Sequence, residues 1–292
     1  MDFIASQSRK NPVSRRGIYW LASYPRSGND LLRTFIAIVL DYIRGTEPPA
    51  ETGSDYLLKY TGIERMEVHF RPFTTWKEAT ENPKKVFQVR PNAQQKLATD
   101  NPHSIFVKTH SAAAFAGGIP QINPNVTRGA AYIIRNPLDV VCSFAPYYAM
   151  TVDAAIERIG SPDSYLNSAS NLVAEFISSW SVHAQSWVET SQIDPIVLRY
   201  EDIVQEPVRA FTAFARHASM NASRKQIELA VERMTFDTGE IGQWREKLTP
   251  AQVDKVIAAH GDWMAKFGYK PGAGGNGVGT EAITEAGTAG SA

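Results

Sequence analysis

The hydrophobic positions of the chain alternate between two spacings, and this alternation predicts the order of its elements. A short run of strand-forming residues at 18–21 precedes a segment, 31–40, whose apolar residues recur at helical spacing. Further strands are predicted at 105–107, 131–134 and 196–200, and further helices from 137 onward and over 172–188, 208–217 and 225–234. Alternating strands and helices predict an α/β fold, a single domain on a parallel, doubly wound sheet.

The link between the first strand and the first helix, YPRSGND at residues 24–30, predicts a phosphate site. Ser27 and Gly28 are small enough for the backbone to approach a ligand. The helix start leaves N–H groups unpaired at the positive end of the helix dipole, and Arg26 adds a fixed charge. The loop lacks the Gly-Lys-Ser/Thr of the common nucleotide loop, and taken alone it is explained equally well as a helix-start turn.

Polar side chains also stand at the ends of the next two predicted strands. Lys108 and His110 follow 105–107, and Arg135 follows 131–134. In open parallel sheets ligands bind beyond the carboxyl ends of the strands, so these side chains are expected to face the same crevice. Ser143 lies two helical turns beyond Asn136 and is expected to join Arg135 on one anion. The alternatives are a structural role for His110 and a surface ion pair for Arg135.

Two other stretches give no sign of a ligand-binding site. Residues 45–100 mix proline, glycine and charge around one extended run at 86–89, and are expected to form irregular segments and short helices along a cleft. The helix predicted over 172–188 places Phe176, Trp180, His183 and Trp187 on one stripe, which indicates a packed face. His183 is therefore expected to be a hydrogen-bonded packing residue and not a ligand.

The composition of the chain limits the classes of binding partner and the compartments that suit it. Lys plus Arg and Asp plus Glu both number 30, so no global charge favours nucleic acid or an anionic membrane. The single cysteine, Cys142, excludes an internal disulfide and is consistent with the cytoplasm. No stretch is apolar enough for a signal peptide or a membrane span. Residues 1–16 are expected to form a flexible tail, 17–270 one domain, and the Gly/Ala/Thr-rich residues 271–292 a disordered tail.

Taken in order, the motifs resemble those of the sulfotransferases that use 3′-phosphoadenosine 5′-phosphosulfate (PAPS), in their soluble bacterial type. The resemblance runs from about residue 17 to 269 and rests on YPRSGND, KTH, RNPLDVVCS, WSVHAQSW, LRYEDI and GQWREKLTP. It implies the sulfotransferase fold, with its P-loop-like strand-loop-helix. It also implies PAPS as co-substrate, no metal, and transfer to a hydroxyl or amine of a small-molecule or carbohydrate acceptor.

The resemblance implies a role for each matching residue. His110 matches the general base, and Lys108 and Arg26 match cations beside the transferring sulfuryl group. The other matches lie in the donor site: Ser27, Gly28, Asn29 and Asp30 with Arg26 at the 5′-phosphosulfate, Arg135 and Ser143 at the 3′-phosphate, Tyr200 and Phe236 at the adenine.

The sequence also departs from the family pattern at three places. Asp30 stands where the family commonly has threonine, and Leu31 where it commonly has tryptophan. The family's Arg-Lys-Gly loop reads Asp-Thr-Gly at 237–239, which keeps Gly239 but removes two cations, and Arg245 is expected to compensate in part. These departures leave open a lapsed nucleotide-binding protein and, less favoured, a Mg²⁺-dependent kinase on a similar fold. The oligomeric state is also left open.

Overall fold

The computed structural model describes residues 17–101, 103–190, 193–236 and 240–270. The two predicted tails and Gly239 lie outside the described residues. The described strands are β1 Ile18–Ser23, β2 Thr61–Ile63, β3 Ile105–Thr109, β4 Phe115–Ala116, β5 Ile119–Pro120, β6 Thr127–Ile134, β7 Tyr165–Leu166, β8 Glu175–Phe176 and β9 Ile196–Arg199. The helices are α1 Asn29–Ile43, α2 Ser54–Leu58, α3 Glu67–Phe70, α4 Trp76–Glu81, α5 Pro83–Asp100, α6 Pro137–Tyr147, α7 Val152–Gly160, α8 Trp180–Gln185, α9 Tyr200–Gln205, α10 Pro207–His217, α11 Arg224–Arg233, α12 Trp244–Lys247 and α13 Pro250–Lys266.

Five strands form one parallel sheet in the spatial order β2-β3-β1-β6-β9, with β1 at its centre. The side chains of β1 alternate between two hydrophobic clusters, Trp20 and Ala22 on one face and Tyr19 and Leu21 on the other. Helices α1, α9, α10 and α11 cover one face, and α6, α7, α8 and α13 cover the other. The predicted α/β, parallel, doubly wound sheet is confirmed, and burial on both faces explains why its strands read as continuous apolar runs.

The prediction of one helix over 172–188 is wrong in its first half. β8 pairs antiparallel with β7, and Ser178 adopts a φ of 58°, which helical backbone does not allow. The helix begins only after Ser179, whose side chain accepts a hydrogen bond from the backbone N–H of Val182. A π-helical turn, Ser186–Thr190, continues it. Tertiary pairing therefore overrides a helical spacing of apolar residues.

The prediction of an extended run at 86–89 is also wrong, because these residues lie inside α5. Pro83 stands at the helix start, and Val86, Val89, Ala93 and Leu97 are buried at helical spacing, which stabilises the helix despite Pro91. Helix α13 was not predicted from the sequence, although it begins with a complete capping box between Thr249 and Gln252.

Candidate active site

The carboxyl ends of β1, β3 and β6 open into one cleft of about 610 Å³, beside the starts of α1 and α6. This is where ligands are expected in an open parallel sheet. A larger surface groove of about 1340 Å³ runs along α10 and α11 and contains none of the predicted site residues. Nine predicted site residues line the cleft: Arg26, Gly28, Asn29, Asp30, Lys108, His110, Arg135, Ser143 and Tyr200.

The loop between β1 and α1 is shaped by two left-handed backbone angles and one close contact. The φ angle is 68° at Arg26 and 96° at Gly28. A Cβ atom on Gly28 would lie 2.6 Å from Cδ2 of Tyr200, so this position requires glycine. Asn29 begins α1 and donates from Nδ2 to the carbonyl oxygen of Leu21 at 2.8 Å, which ties the helix to the strand.

Ser27 presents an orphaned polar atom in the same loop. The residue is 1% exposed, and its Oγ has no hydrogen-bond partner among the described residues. Buried hydroxyls seldom stay unpaired, and the adjacent first turn of α1 offers backbone N–H groups. This arrangement fits an anionic ligand that would accept hydrogen bonds from the hydroxyl and the helix start.

Arg135 lies beneath the loop and is 3% exposed. Its Nη1 donates to the backbone carbonyl of Arg26 at 3.0 Å, and its guanidinium lies 4.2 Å from the ring centroid of Tyr200. The indole of Trp180 in turn donates to the carbonyl of Arg135 at 3.2 Å. The side chain of Arg135 is therefore buried in the cleft wall and does not lie on the protein surface.

The two predicted anion-binding groups touch each other directly. Arg26 Nε donates to Ser143 Oγ at 3.0 Å, although the residues are 117 positions apart. The same guanidinium lies 4.3 Å from the ring centroid of Tyr147, a residue that no sequence signal had singled out. Helix α6 thus holds the Arg26 guanidinium through a hydroxyl and an aromatic ring.

Asp30 faces the cleft and bridges two cations. Its Oδ1 accepts from Lys108 Nζ at 2.9 Å and from Arg33 Nη1 at 2.9 Å. Partial burial opposes ionisation, but these two cations outweigh it and lower the pKa of Asp30 to about 2. Asp30 is therefore ionised at neutral pH. Among the described residues that line the cleft it is the one acidic residue, beside four cations, Arg26, Arg33, Lys108 and Arg135.

His110 is oriented by its backbone surroundings. Its Nδ1 lies 2.8 Å from the carbonyl oxygen of Ser23, which can only accept, so Nδ1 carries the proton of the neutral ring and Nε2 keeps its lone pair. Burial, and then the nearby Lys108 ammonium, lower the pKa of His110 to about 4. The ring is therefore neutral at pH 7 and has the tautomer that a general base needs.

His183 is a packing residue, as predicted. The ring is fully buried, and its Nε2 donates to the backbone carbonyl of His110 at 3.1 Å. The hydroxyl of Tyr132 lies 3.0 Å from Nδ1 and donates to it. His183 therefore supports the chain at His110 from below.

Besides the buried Ser27, two predicted donor-site residues do not line the cleft. Phe236 packs against the hydrophobic cluster under α1, α10 and α11, although the neighbouring Thr235 does reach the cleft. Arg245 is exposed, with its guanidinium 4.6 Å from the ring centroid of Trp244. Their predicted contacts with the nucleotide therefore gain no support from the geometry.

Asp139 holds a distant segment of the chain that the sequence did not connect to it. It is 1% exposed, and its carboxylate accepts from the backbone N–H groups of Gly242 at 2.8 Å and Trp244 at 3.1 Å. Segment 240–244 is thereby held against α6, and the carbonyl of Glu240 lies 3.5 Å from Arg135 Nη2. The acidic residue in the first turn of α6 was visible in the sequence, but its distant partners were not.

The described residues contain no cluster of three or more His, Cys, Asp or Glu side chains that could hold a metal ion. Within the same ranges, the structure has no helix both long and apolar enough to cross a bilayer.

Solved structures with a similar fold include a mouse sulfotransferase and a retinol dehydratase. Mouse sulfotransferase SULT7A1, complexed with PAP, superposes with a TM-score of 0.53 at 17% identity and covers 86% of each chain. Retinol dehydratase, complexed with androsterone and the inactive cofactor PAP, gives a TM-score of 0.56 at 16% identity over 87% of this chain and 82% of its own. At these identities the likeness concerns the fold.

Sequence comparison adds relatives and a family. Sulfotransferase 1A1 of Canis lupus familiaris is 26% identical over 172 residues, which are 55% of this chain and 56% of the relative. The Bos taurus sulfotransferase 1A1 is 28% identical over 146 residues, or 47% and 48% of the two chains. The chain thus spans about half the length of the curated relatives it matches. The sulfotransferase domain model matches residues 18–238, from β1 to beyond α11. Since this match covers most of the sequence, the chain belongs to the sulfotransferase domain family.

Proposed function

We propose that this chain transfers a sulfuryl group from PAPS to a hydroxyl or amine of a small-molecule or carbohydrate acceptor. One observation carries the proposal: the neutral, correctly protonated His110 lines the same cleft as Arg26, Arg33, Lys108 and Arg135. A base beside a concentration of positive charge suits an acceptor that must lose a proton and a donor that carries phosphates.

The donor would lie along the basic wall of the cleft. The orphaned Ser27 hydroxyl and the start of α1 suit the 5′-phosphosulfate, and Arg135 with Ser143 suits the 3′-phosphate. Two solved neighbours hold PAP, the product that PAPS leaves behind, which supports the same choice of nucleotide here. Tyr200 would support the nucleotide through Gly28 and Arg135, against which its ring packs.

The chemistry then follows from the residues. His110 Nε2 takes the proton of the acceptor as the acceptor oxygen or nitrogen forms its bond to sulfur, and the bond from sulfur to the phosphate oxygen breaks in line. The departing phosphate oxygen gains negative charge, which Lys108, Arg26 and the loop N–H groups stabilise. No covalent enzyme intermediate is needed. Retinol dehydratase, solved with androsterone and with retinol, offers two examples of hydroxyl-bearing molecules held by a protein of this fold.

The test separates catalysis from donor binding. His110→Ala should lower turnover by at least about a hundredfold, because the acceptor loses its base, while calorimetry finds unchanged affinity for PAP. Turnover is measured as PAP released from PAPS with a panel of phenols, alcohols and amines. His69→Ala, which alters a histidine that does not line the cleft, is the matched control and should keep full turnover.

Three other outcomes have distinct meanings. Wild-type turnover in His110→Ala would remove this residue from the role of base. Tight PAP binding by the wild type without turnover on any acceptor would favour the lapsed nucleotide-binding protein. Phosphoryl transfer from ATP with Mg²⁺ would favour the kinase.

A further inference from the structure

The backbone that carries His110 rests on one buried carboxylate. Glu175, in β8, is 1% exposed. Its Oε1 accepts from the backbone N–H of His110 at 2.5 Å, from the Thr109 hydroxyl at 3.0 Å and from the Ser111 hydroxyl at 3.4 Å. Three consecutive residues at the end of β3 therefore share a single acceptor. Such a carboxylate fixes the position of the chain at the point where the base is presented.

Arg65 is a counterion of the Glu175 carboxylate. Arg65 Nε lies 3.7 Å from Oε2, and this arginine is itself held by the carbonyls of Val173 at 2.8 Å and Asn167 at 2.7 Å. Burial alone would raise the pKa of Glu175, but Arg65, His110, Arg90 and the His110 N–H hold it well below its usual range. Glu175 is therefore a fixed negative charge beside His110. Burying a carboxylate costs free energy, so packing alone does not explain its presence here.

Among the described contacts of His110, Glu175 is the one that brings a negative charge to its backbone. His183 bonds the His110 carbonyl, and Ser23 orients the ring through Nδ1, but neither supplies charge. The charged or titratable groups that face His110 are Lys108, Asp30, Glu175 and His183. Of the two carboxylates in this set, Asp30 is held by Lys108 and Arg33, and only Glu175 bonds the His110 backbone.

We propose that Glu175 is a positioning residue of the transfer reaction, which fixes the His110 backbone and stabilises the imidazolium formed when His110 accepts the proton. The proposal rests on the proposed function for the reaction it serves. A nearby buried carboxylate lowers the free energy of the protonated base in the transition state. Glu175 hydrogen-bonds the backbone of His110 and not its imidazole, and it lies 65 positions further along the chain, so the sequence spacing gave no sign of it.

The test replaces the charge while keeping the shape. Glu175→Gln should lower kcat by about tenfold to a hundredfold, because the base is displaced and its protonated form is less stable, and should leave the affinity for PAP unchanged. Asp41→Asn is the matched control. Asp41 is a similarly buried carboxylate that pairs with Lys59, but its side chain does not bond residues 109–111, so kcat should stay near the wild-type value.

A second readout follows the protonation of His110 by NMR, with the signal assigned by its loss in His110→Asn. Removing a negative charge disfavours the imidazolium, so the pKa of His110 should fall further in Glu175→Gln. The wild-type ring, with a pKa of about 4, should therefore become protonated at a higher pH than the variant ring. A loop that had merely loosened would expose the ring and raise the pKa toward 6.5.

Glu175→Asp keeps the charge, and it provides a second variant in case Glu175→Gln does not fold. It should keep the pKa of His110 close to the wild-type value while kcat falls, because the shorter side chain reaches its three donors less well. An unchanged kcat in a folded Glu175→Gln, or a raised pKa of His110, would overturn the proposal. If the wild type transfers no sulfuryl group at all, the proposed function fails separately. The NMR titration still decides whether Glu175 acts on His110.

Discussion

At the scale of single residues, Asp30 is the position where sequence and structure inform each other most. The sequence identifies it as a carboxylate in a place suited to phosphate, which would weaken donor binding. The structure places its oxygen between Lys108 and Arg33, so the charge is balanced within the cleft. Asp30 therefore competes with a phosphate for these cations, and it also fixes the ammonium of Lys108 where the reaction would occur.

Replacing Asp30 should separate these two effects. Asp30→Thr should tighten PAP binding by about fivefold, the size expected for one partly exposed charge interaction, because both cations become available to the ligand. The same change should lower kcat, since Lys108 loses its anchor. Calorimetry and PAP release measure the two quantities. Asp153→Asn, at an exposed ion pair with Lys255, is the control and should change neither. Weaker PAP binding in Asp30→Thr would contradict this account.

At the scale of elements, the predictable parts are those in which local pattern and tertiary burial agree. Strand β1 and helix α1 were predictable because the strand is buried on both faces and the helix carries one apolar stripe. The rule that ligands bind at strand ends then placed Lys108, His110 and Arg135 correctly. The segment before α8 was not predictable, because a left-handed residue and an antiparallel pair replace a helix that the apolar spacing favours.

The hydrogen bonds that join Asp139 of α6 to segment 240–244 also act at the scale of elements. Asp139→Asn should destabilise the fold by about 1–3 kcal/mol, because an amide nitrogen would face a buried N–H that now has an acceptor. PAP binding should weaken as well, since this segment lies against Arg135. Denaturant unfolding and calorimetry measure the two effects. Glu246→Gln, on the exposed side of α12, should leave both unchanged, and a fully stable Asp139→Asn would show that the tie is dispensable.

At the scale of the whole molecule, a chain without net charge concentrates positive charge in one cleft. Composition could not reveal this, because it averages over the surface. The pairs that build the site are also far apart in sequence: Arg26 meets Ser143, Asp139 meets Gly242, and His110 meets Glu175. Residue types at strand ends could be predicted from one sequence, whereas these partners depend on how the helices and loops pack.

The most direct test of the central claim is thermal unfolding of the protein with adenosine 3′,5′-bisphosphate (PAP), compared with AMP and with ATP plus Mg²⁺. PAP at about a hundred times its dissociation constant should stabilise the fold by roughly 2.7 kcal/mol, which raises the midpoint by at least about 2 °C. AMP should have a much smaller effect at the same concentration, because it lacks the 3′-phosphate that Arg135 and Ser143 are proposed to bind. No rise with PAP, an equal rise with AMP, or a rise only with ATP and Mg²⁺ would contradict a PAPS site in this cleft.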